Sequence, residues 1–241
     1  MFYFDKVLSK TVLKSDLISA PHFFTTKELL LKSGEEDKKL LIENNLNNLK
    51  NQFQLDLILS PKQTHSDNVE IVLSDKIVYD NTDALILSDR KIGIFLNFAD
   101  CTPIIFYDTI KNIAAIAHCG WRGTVKKIAQ KTVFKMNKDF GCKTSDINAI
   151  IGPCISFESF ETSNEICDLL FETVHNSKYF IKKDEKNFAD LKGINYQQLI
   201  DIGVENIDIA PYCTVLDNDK FYSYRKENQT TNRISTFICL N

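Results

Sequence analysis

The fold of this chain is decided by the stretch N-I-A-A-I-A-H-C-G-W-R-G-T-V-K-K, residues Asn112 to Lys127. Its apolar part, Ile113 to Ala117, is typical of a strand that is buried on both faces. His118 follows at the carboxyl end of that strand, and Gly120 and Gly123 loosen the backbone before a helical pattern begins. A strand that is followed by a polar residue and the start of a helix is a common site geometry in α/β proteins.

Helical spacing of apolar residues continues outward from this stretch. It predicts a helix from Thr124 to Phe140, ended by Gly141 in a left-handed cap. A capping-box pattern from Ser33 to Glu36 predicts another helix from Gly34 to Gln52. Two shorter helices are predicted at 162–175 and at 195–202. Strands are predicted at 2–8, 19–26, 55–59, 69–73, 84–87, 92–98, 104–107, 147–151, 207–210, 221–224 and 234–240.

The strands outnumber the helices, so the class is mixed α and β with a sheet that is not purely parallel. Pro103 is expected to end the strand at 92–98. The length of 241 residues favours one domain, 1–241, with a sizeable core.

The composition excludes several classes of partner. Hydrophobic residues make up 44% and charged residues 25%, and the net charge of -3 gives no reason to expect nucleic acid. Charges interrupt the first apolar run, Met1 to Lys10, which argues against a signal peptide, and no window is apolar enough to span a membrane. We therefore expect a cytoplasmic protein with no membrane partner.

The cysteines and histidines limit the metal chemistry. Seven cysteines are widely spaced without a C-x-x-C pair, so neither a disulfide framework nor a zinc-finger knuckle fits, and most are expected to be small buried hydrophobes. Only four histidines are present, too few for a cluster of several copper ions.

Three residues are candidate metal ligands. His65 lies in a polar loop, and Cys101 and His118 lie at the ends of apolar runs. Two imidazoles and a thiolate make a suitable set for a zinc ion with one open position. The alternative reading is a hydrogen-bonded histidine and a buried thiol. Cys119 competes as the thiol, although strand alternation would turn His118 and Cys119 to opposite faces. His22 and His175 are not assigned to the site.

Arg122 is a candidate anion-binding residue. It stands between Gly120 and Gly123 at a helix start, where free backbone N–H groups already favour phosphate or carboxylate, so the two glycines are expected to share the anion site. A solvated surface arginine is the alternative. Trp121, the only tryptophan, can stack on a planar substrate or pack in the core, and the core is favoured.

Several short motifs together carry a resemblance to a known family. They follow one another in the family's order along nearly the whole chain, and the H-x-G-W-R-G element is specific. The chain resembles the YfiH family, also described as the multicopper polyphenol oxidase (laccase-like) family. The motifs are Gln63-Thr64-His65, Ala99-Asp100-Cys101-Thr102-Pro103, His118-Cys119-Gly120-Trp121-Arg122-Gly123, Ile151-Gly152-Pro153-Cys154-Ile155, Asp190-Leu191-Lys192-Gly193-Ile194-Asn195, Tyr212-Cys213-Thr214 and Phe221-Tyr222-Ser223-Tyr224-Arg225.

The resemblance implies a fold and an activity. The implied fold is an α/β sandwich whose mixed sheets are covered by helices. The implied activity is a zinc-dependent purine nucleoside phosphorylase that acts on adenosine, inosine and S-methyl-5′-thioadenosine, with adenosine deaminase activity. His65, Cys101 and His118 would be both its metal ligands and its catalytic residues.

One departure and three alternatives qualify this reading. Relatives carry an arginine and a Gly-Gly-Val-Ser turn near the amino terminus, where this chain has Lys27 and no glycine pair. The first alternative is an amidase that edits peptidoglycan precursors, with Cys101 as nucleophile and His118 as base. The second is a polyphenol oxidase with one copper ion in the same three-ligand site. The third is a non-enzymatic interaction protein held together by zinc.

Overall fold

The computed structural model describes residues 1–240, in which two six-stranded sheets are the main framework. The first sheet is antiparallel except for one parallel pair at its edge, between its last two strands. The last strand of the described chain lies in the middle of this sheet. The order across it is β1 (Phe2–Val7), β2 (Lys10–Ser15), β3 (His22–Thr25), β15 (Ile234–Cys239), β7 (Ile92–Phe98) and β4 (Leu57–Leu59).

The second sheet carries most of the site. Its central strands are antiparallel, and a parallel strand closes each edge. A separate three-stranded sheet consists of β11 (Glu161–Thr162), β13 (Lys186–Ala189) and β12 (Phe180–Lys183). The order across the second sheet is β14 (Asn206–Ile209), β10 (Ile147–Ile151), β8 (Thr102–Asp108), β9 (Ile113–Cys119), β6 (Ala84–Leu87) and β5 (Val69–Ile71).

Apolar side chains fill the space between the two large sheets. Phe24 and Leu96 of the first sheet and Ile105 and Ile116 of the second have no exposed surface and belong to one cluster. Burial of this area is the main source of stability. Residues of β9 are buried on both faces, as the apolar run predicts.

Helices cover the outer faces of both sheets. One helix lies on the first sheet through Leu49, its only buried residue, and another lies on the second sheet through Val133 and Met136. The fold is therefore a mixed α/β sandwich with mixed sheets covered by helices, which confirms the expected class. The helices are α1 (Lys39–Phe53), α2 (Trp121–Val125), α3 (Ile128–Phe140), α4 (Asn164–Val174) and α5 (Leu191–Ile200). No helix among residues 1–240 has the length and apolar character to cross a membrane.

Three helix predictions need correction, one of which is the helix expected at 195–202: α5 begins at Leu191, capped by Asp190, and ends at Ile200. The helix expected from Thr124 begins earlier, at Trp121, and is broken at Lys127, whose φ of 58° interrupts the hydrogen-bond ladder between α2 and α3. The capping box at Ser33 is wrong, because the Ser33 hydroxyl accepts from the Glu35 N–H and α1 begins only after a 3-10 turn. Gly141 ends α3 with a φ of 70°, as expected.

Several strand predictions also need correction, and β11, β12 and β13 are absent from the predicted strands. Pro103 lies inside β8, and the chain turns before it, at Asp100 with a φ of 83°. No strand forms at 221–224, where the Asp217 carbonyl accepts from two backbone N–H groups and holds a turn. The strand Lys10–Ser15 was not predicted, because Val12 and Leu13 are adjacent rather than alternating and both faces of the strand are buried.

Candidate metal centre and cationic cavity

The three candidate ligands meet at one edge of the second sheet. His118 is the penultimate residue of β9, Cys101 lies in the turn between β7 and β8, and His65 lies in the loop before β5. One ligand atom from each residue lies within 4.8 Å of the other two. The antiparallel register between β8 and β9 pairs Thr102 with Cys119, which places Cys101 beside the end of β9.

Gly120 makes this close approach possible. A Cβ atom at position 120 would lie 2.8 Å from the Sγ atom of Cys101 and 3.2 Å from Cδ2 of His65. The φ of Gly120 is -65°, a value that any residue adopts, so the requirement concerns space and not backbone conformation. Any side chain here would push the ligands apart.

Asp83 orients His118. The Nδ1 atom of His118 lies 2.8 Å from Oδ1 of Asp83, which leaves Nε2 of the ring for the site. Asp83 is fully buried, and His118 is 4% exposed. A carboxylate on the outer nitrogen of a metal-binding histidine fixes the tautomer and raises the basicity of the ligand.

The loop of His65 is wrapped around the same carboxylate. Asp83 accepts hydrogen bonds from the backbone N–H groups of Thr64, His65 and Ser66 and from the Ser66 hydroxyl. His65 itself has a φ of 61°, a left-handed conformation that costs free energy and persists where the surroundings fix it. Asp83 therefore positions two of the three ligands.

Charges within this cluster shift the pKa values of its members. Burial alone would raise the pKa of Asp83, but the hydrogen bond and charge of His118 outweigh it and lower the pKa to about 2. Burial also opposes ionisation of Cys101, yet His118 and His65 lower its pKa to about 6. Burial would lower the pKa of His118, but Cys101 and Asp83 raise it to about 9. Cys101 is therefore stabilised as the thiolate, the form that binds metals.

The donor set fits a metal ion. Two imidazole nitrogens and one thiolate, one of the imidazoles held by a carboxylate, form a three-ligand set that leaves a position open. His65 is exposed and Cys101 partly exposed, so the group is accessible from solvent and not sealed in the core. The three side chains can therefore hold a metal ion within reach of a substrate.

The remaining cysteine and histidine candidates lie elsewhere. Cys119 is fully buried on the other face of β9 in the cluster that packs against α3, and burial raises its pKa well above the usual range. His22 bonds to the backbone of Ser15 and Ala20, and His175 ends α4. Among residues 1–240, no second group with metal-ligand geometry is present.

A cavity of about 770 Å³ opens beside the three ligands. Its volume is in the range of small-molecule sites. Its lining combines apolar side chains, amides and an excess of cations. The lining residues are Lys32, Ser33, Gly34, Pro61, Lys62, Gln63, His65, Asn97, Ala99, Asp100, Cys101, His118, Arg122, Ile155, Phe160, Tyr224, Arg225, Thr231 and Arg233.

Three of the four arginines in the sequence form the cationic lining, by which we mean Arg122, Arg225 and Arg233. No carboxylate of residues 1–240 forms an ion pair with any of them. The Arg122 guanidinium lies 4.3 Å from the centre of the Trp121 ring, which itself packs at the edge of an apolar cluster. Cations without carboxylate partners make this lining complementary in charge to an anion.

Gly123 does not reach the cavity. It is buried in α2, where a Cβ atom would lie 3.1 Å from the His118 carbonyl oxygen, and Gly120 likewise lies behind the cavity lining. Of the three residues expected at the anion site, Arg122 alone lines the cavity. The two glycines act through the close packing of α2 against the ligands.

Asp100 connects the candidate metal ligands to the arginines. Its carboxylate accepts from the Thr214 hydroxyl at 2.6 Å and from the Arg225 backbone N–H at 2.7 Å, and its carbonyl accepts from Ile155. The Arg225 guanidinium donates to the carbonyls of Ser159 and Glu161. Because Asp100 precedes Cys101, one residue ties these segments to the metal ligand.

Sequence reasoning assigned no role to Asp83, Arg225 or Arg233. Asp83 does carry a signal, since it directly precedes the buried strand β6. The register Ala84↔Ala117 between β6 and β9 then sets it opposite His118. Arg225 carries the signal of the family motif at 221–225, with no role attached to it, whereas Arg233 carries none, because folding alone brings its segment to the cavity.

This fold and site define a class, a mixed α/β sandwich in which a His-Cys-His group that can hold a metal ion opens into a cationic cavity. The chain belongs to the multi-copper polyphenol oxidoreductase laccase family, whose model matches residues 15–241. The match confirms the resemblance to YfiH proteins. YlmD from Geobacillus stearothermophilus has the same fold, with a TM-score of 0.89, 25% identity, and coverage of 99% of this chain and 98% of that one.

Curated relatives are named as enzymes of purine nucleosides. The purine nucleoside phosphorylase YlmD of Bacillus subtilis is 33% identical over 161 residues, which cover 65% of this chain and 58% of that protein. Adenosine deaminase RL5, from an unknown prokaryotic organism, is 30% identical over 198 residues, with 76% and 75% covered. The chain is therefore similar to enzymes with these two named activities.

Proposed function

We propose that this protein is a zinc-dependent purine nucleoside phosphorylase that acts on adenosine, inosine and S-methyl-5′-thioadenosine and also deaminates adenosine. The observation that carries the proposal is that one cavity contains both the His-Cys-His group and three arginines without carboxylate partners. A site for phosphate beside a site for metal suits a reaction between a nucleoside and phosphate. The names of the relatives support the same chemistry.

The metal half consists of His65, Cys101 and His118. Zinc bound there supplies a Lewis acid and a bound water of lowered pKa. Asp83 keeps the proton of His118 on Nδ1 and so presents Nε2 to the metal. The same carboxylate holds the His65 loop in place, so the ligands are arranged before substrate arrives.

The phosphate half consists of the cationic lining. Arg122 extends from the start of α2, beside the ligand His118, and its planar guanidinium can form paired hydrogen bonds with phosphate oxygens. Gly120 and Gly123 allow α2 to pack closely enough to bring Arg122 to the cavity. A phosphate held here can attack the anomeric carbon of the sugar while the bond to the purine breaks.

The purine itself needs an apolar, planar surface. Phe160 and Ile155 line the cavity and are nearly buried, and the exposed ring of Tyr224 stands at its margin. Aromatic faces bind purines by stacking, and the Asn97 amide, which is held by Ser60 and Ser235, adds a polar group to the lining. The cavity volume of about 770 Å³ accommodates a nucleoside and phosphate together.

A chromatographic assay tests the proposal. Zinc-loaded protein is incubated with adenosine, inosine or S-methyl-5′-thioadenosine, with and without phosphate. We expect free base and ribose 1-phosphate, or the methylthio analogue, only when phosphate is present. With adenosine we also expect inosine and ammonia, independent of phosphate. Protein that yields none of these products at any zinc occupancy would refute the proposal.

A hydrolase that uses Cys101 as nucleophile is the second candidate. The specific observation in its favour is the chain of Cys101, His118 and Asp83, which has the order of a nucleophile, a base and an orienting carboxylate. The Cys101 pKa of about 6 suits this role. Hydrolysis of a peptidoglycan-derived amide by chelated protein, with a covalent adduct on Cys101, would favour this candidate over the phosphorylase.

Copper and zinc are compared as candidates for the same three-ligand site. One copper ion can occupy the same three-ligand site, but a cluster of several copper ions would need more imidazoles than the two that reach it among residues 1–240. Two rates are compared: phenol oxidation by the copper-loaded protein and nucleoside cleavage by the zinc-loaded protein. A faster rate of phenol oxidation would favour the oxidase. If zinc binds but neither loaded form turns over substrate, the zinc-stapled interaction protein is favoured.

A further inference from the structure

Arg233 differs from the other arginines in its burial. Arg122, Arg225 and Arg90 are exposed, whereas Arg233, which directly precedes β15, is partly buried in the wall of the cavity. A cation withdrawn from water costs free energy unless an opposite charge or enough hydrogen bonds replace the lost hydration. The hydrogen-bond partners and charges around Arg233 therefore indicate which kind of ligand this side chain can bind.

The protein provides hydrogen-bond acceptors for only some of the donors of the Arg233 guanidinium. Nη1 donates to the backbone carbonyls of Thr230 and Asn232, which fixes its orientation. Neither Nη2 nor Nε has a hydrogen-bond partner within residues 1–240. The side chain is thus held in place on one side while its remaining donors stay free for a ligand in the cavity.

No carboxylate of the described chain forms an ion pair with Arg233. Asp100 is the only carboxylate that lines the cavity, and both of its oxygens are already bonded to Thr214 and Arg225. The acidic groups that act on Arg233 electrostatically are Cys101, Tyr224 and Asp100, so the guanidinium lies near the metal ligand Cys101. Lys32, whose carbonyl accepts from the Arg233 backbone N–H, adds a second cation to the same wall.

We propose that Arg233 is the main phosphate-binding residue of the cavity, with Arg122 in a secondary role. An oriented, partly dehydrated guanidinium with free donors binds a tetrahedral oxyanion more tightly than an exposed one, because less hydration and less side-chain freedom are lost. Arg122 is exposed and already stacked on Trp121. This inference rests on the proposed function for the identity of the anion, which is inorganic phosphate.

Titration calorimetry with inorganic phosphate tests the assignment without turnover. The samples are zinc-loaded wild-type protein, Arg233→Gln, Arg122→Gln and the matched control Arg90→Gln, with zinc content and folding checked in each. We expect affinity for phosphate to fall about ten- to a hundredfold in R233Q and at most about threefold in R122Q, with no change in R90Q. Zinc content should be equal in all four. Unchanged phosphate affinity in folded R233Q would overturn the proposal.

A second measurement uses only the wild-type protein, because Nη1 of Arg233 also supports a turn and R233Q can fail to fold. Arginines are modified with phenylglyoxal in the presence and absence of phosphate, and the modified positions are found by mass spectrometry. Phosphate should protect Arg233 and leave Arg90 reactive. Protection of Arg122 without protection of Arg233 would overturn the assignment.

Two further measurements distinguish this inference from binding of a phosphate ester and from the proposed function. Adenosine 5′-monophosphate is titrated in parallel, and dependence of that ligand alone on Arg233 would overturn the assignment to free phosphate. In the nucleoside assay, R233Q should raise KM for phosphate more than R122Q does. Phosphate binding through Arg233 without any phosphorolysis would refute the proposed function alone, whereas phosphorolysis with an unaltered phosphate KM in R233Q would refute this inference alone.

Discussion

The candidate metal ligands and the cationic lining share one cavity but balance their charges in opposite ways. Around His65, Cys101 and His118, the negative charges of Cys101 and Asp83 face the imidazole of His118, and Asp83 accepts several further hydrogen bonds. In the cationic lining, no carboxylate of residues 1–240 pairs with an arginine. The first region is internally neutralised, and the second is not.

This difference shows which part of the site is built in advance. The ligand cluster is held by the chain itself, and its cost in strain at His65 is offset by the hydrogen bonds to Asp83. The cationic lining carries positive charge that no ion pair with a carboxylate of residues 1–240 offsets, and a bound anion would neutralise it. Substitutions in the two regions should therefore have different signatures, in metal affinity for one and in anion affinity for the other.

The largest effect is expected from Cys101→Ala. Loss of the thiolate leaves two imidazoles, so zinc content and nucleoside turnover should fall together by at least about a hundredfold, beyond the effect typical of an outer-shell partner. The matched control is Cys167→Ala, which removes a partly exposed thiol of α4 outside the site. Metal analysis and the chromatographic assay measure both. Full activity in metal-free C101A would contradict the role of the cluster.

Asp83→Asn should have the next largest effect. The amide keeps the shape of the side chain but cannot accept from every donor around it. We expect zinc affinity to fall about 10- to 100-fold. The free energy of unfolding should fall by about 2–4 kcal/mol, because a buried charge pair is broken. Chelator competition and urea denaturation measure the two quantities.

The control for this substitution is Asp80→Asn, on the same loop but exposed, with only Lys62 as a charged neighbour. This substitution should change neither the zinc affinity nor the free energy of unfolding measurably. Equal zinc affinities in D83N and D80N would show that Asp83 does not orient the ligands.

A smaller effect is expected from Gly120→Ala. The added Cβ atom would lie 2.8 Å from Sγ of Cys101, so the ligand must move, and we expect zinc affinity to fall about tenfold. Gly141→Ala is the complementary control: its φ of 70° makes alanine cost about 1 kcal/mol of stability, although nothing lies within 4 Å of the new atom. Thermal denaturation and zinc titration should separate the two variants. Tighter zinc binding in G120A would contradict the packing argument.

The smallest effect concerns His22, a second buried histidine that lacks the neighbours of His118. Burial lowers the pKa of His22, whereas Cys101 and Asp83 raise that of His118 against the effect of burial. His22 therefore stays neutral in the folded state while the unfolded chain takes up a proton as pH falls below 6.5. Stability should decline with falling pH there, by at most about 1.4 kcal/mol per pH unit from this residue.

His22→Gln tests this sign. The substitution removes the titrating group, so the free energy of unfolding from urea curves should depend less on pH just below 6.5 than in the wild-type protein. A steeper dependence in H22Q would show that His22 is protonated in the folded state.

The sequence predicted the strands of the core better than the connections between them. The strands at 84–87, 92–98 and 147–151 were assigned with the bounds that the structure shows, because continuous apolar runs reflect burial on both faces. The connections failed where a single residue adopts a left-handed conformation, as Lys127 and Asp100 do. Non-glycine residues with positive φ carry no reliable signature in one sequence.

The sequence predicted the candidate site only in part, as it did the fold. His65, Cys101 and His118 could be selected because few residue types bind zinc and because their motifs resemble a family, and the structure brings their ligand atoms together. Asp83 was missed because one carboxylate among 32 acidic residues is not distinctive until strand register sets it opposite His118. Arg233 was missed because its role depends on burial and on the absence of partners, which are properties of the folded chain.

The position of β15 has a consequence for how the protein is made. This strand joins β3 to β7 in the middle of the first sheet, yet it follows every other described element in the sequence. During translation, the first sheet therefore remains in two unjoined parts until Ile234–Cys239 has left the ribosome. Such non-local pairing makes folding slow. A nascent chain that stalls before Arg233 would expose two sheet edges and could not yet assemble the cavity wall.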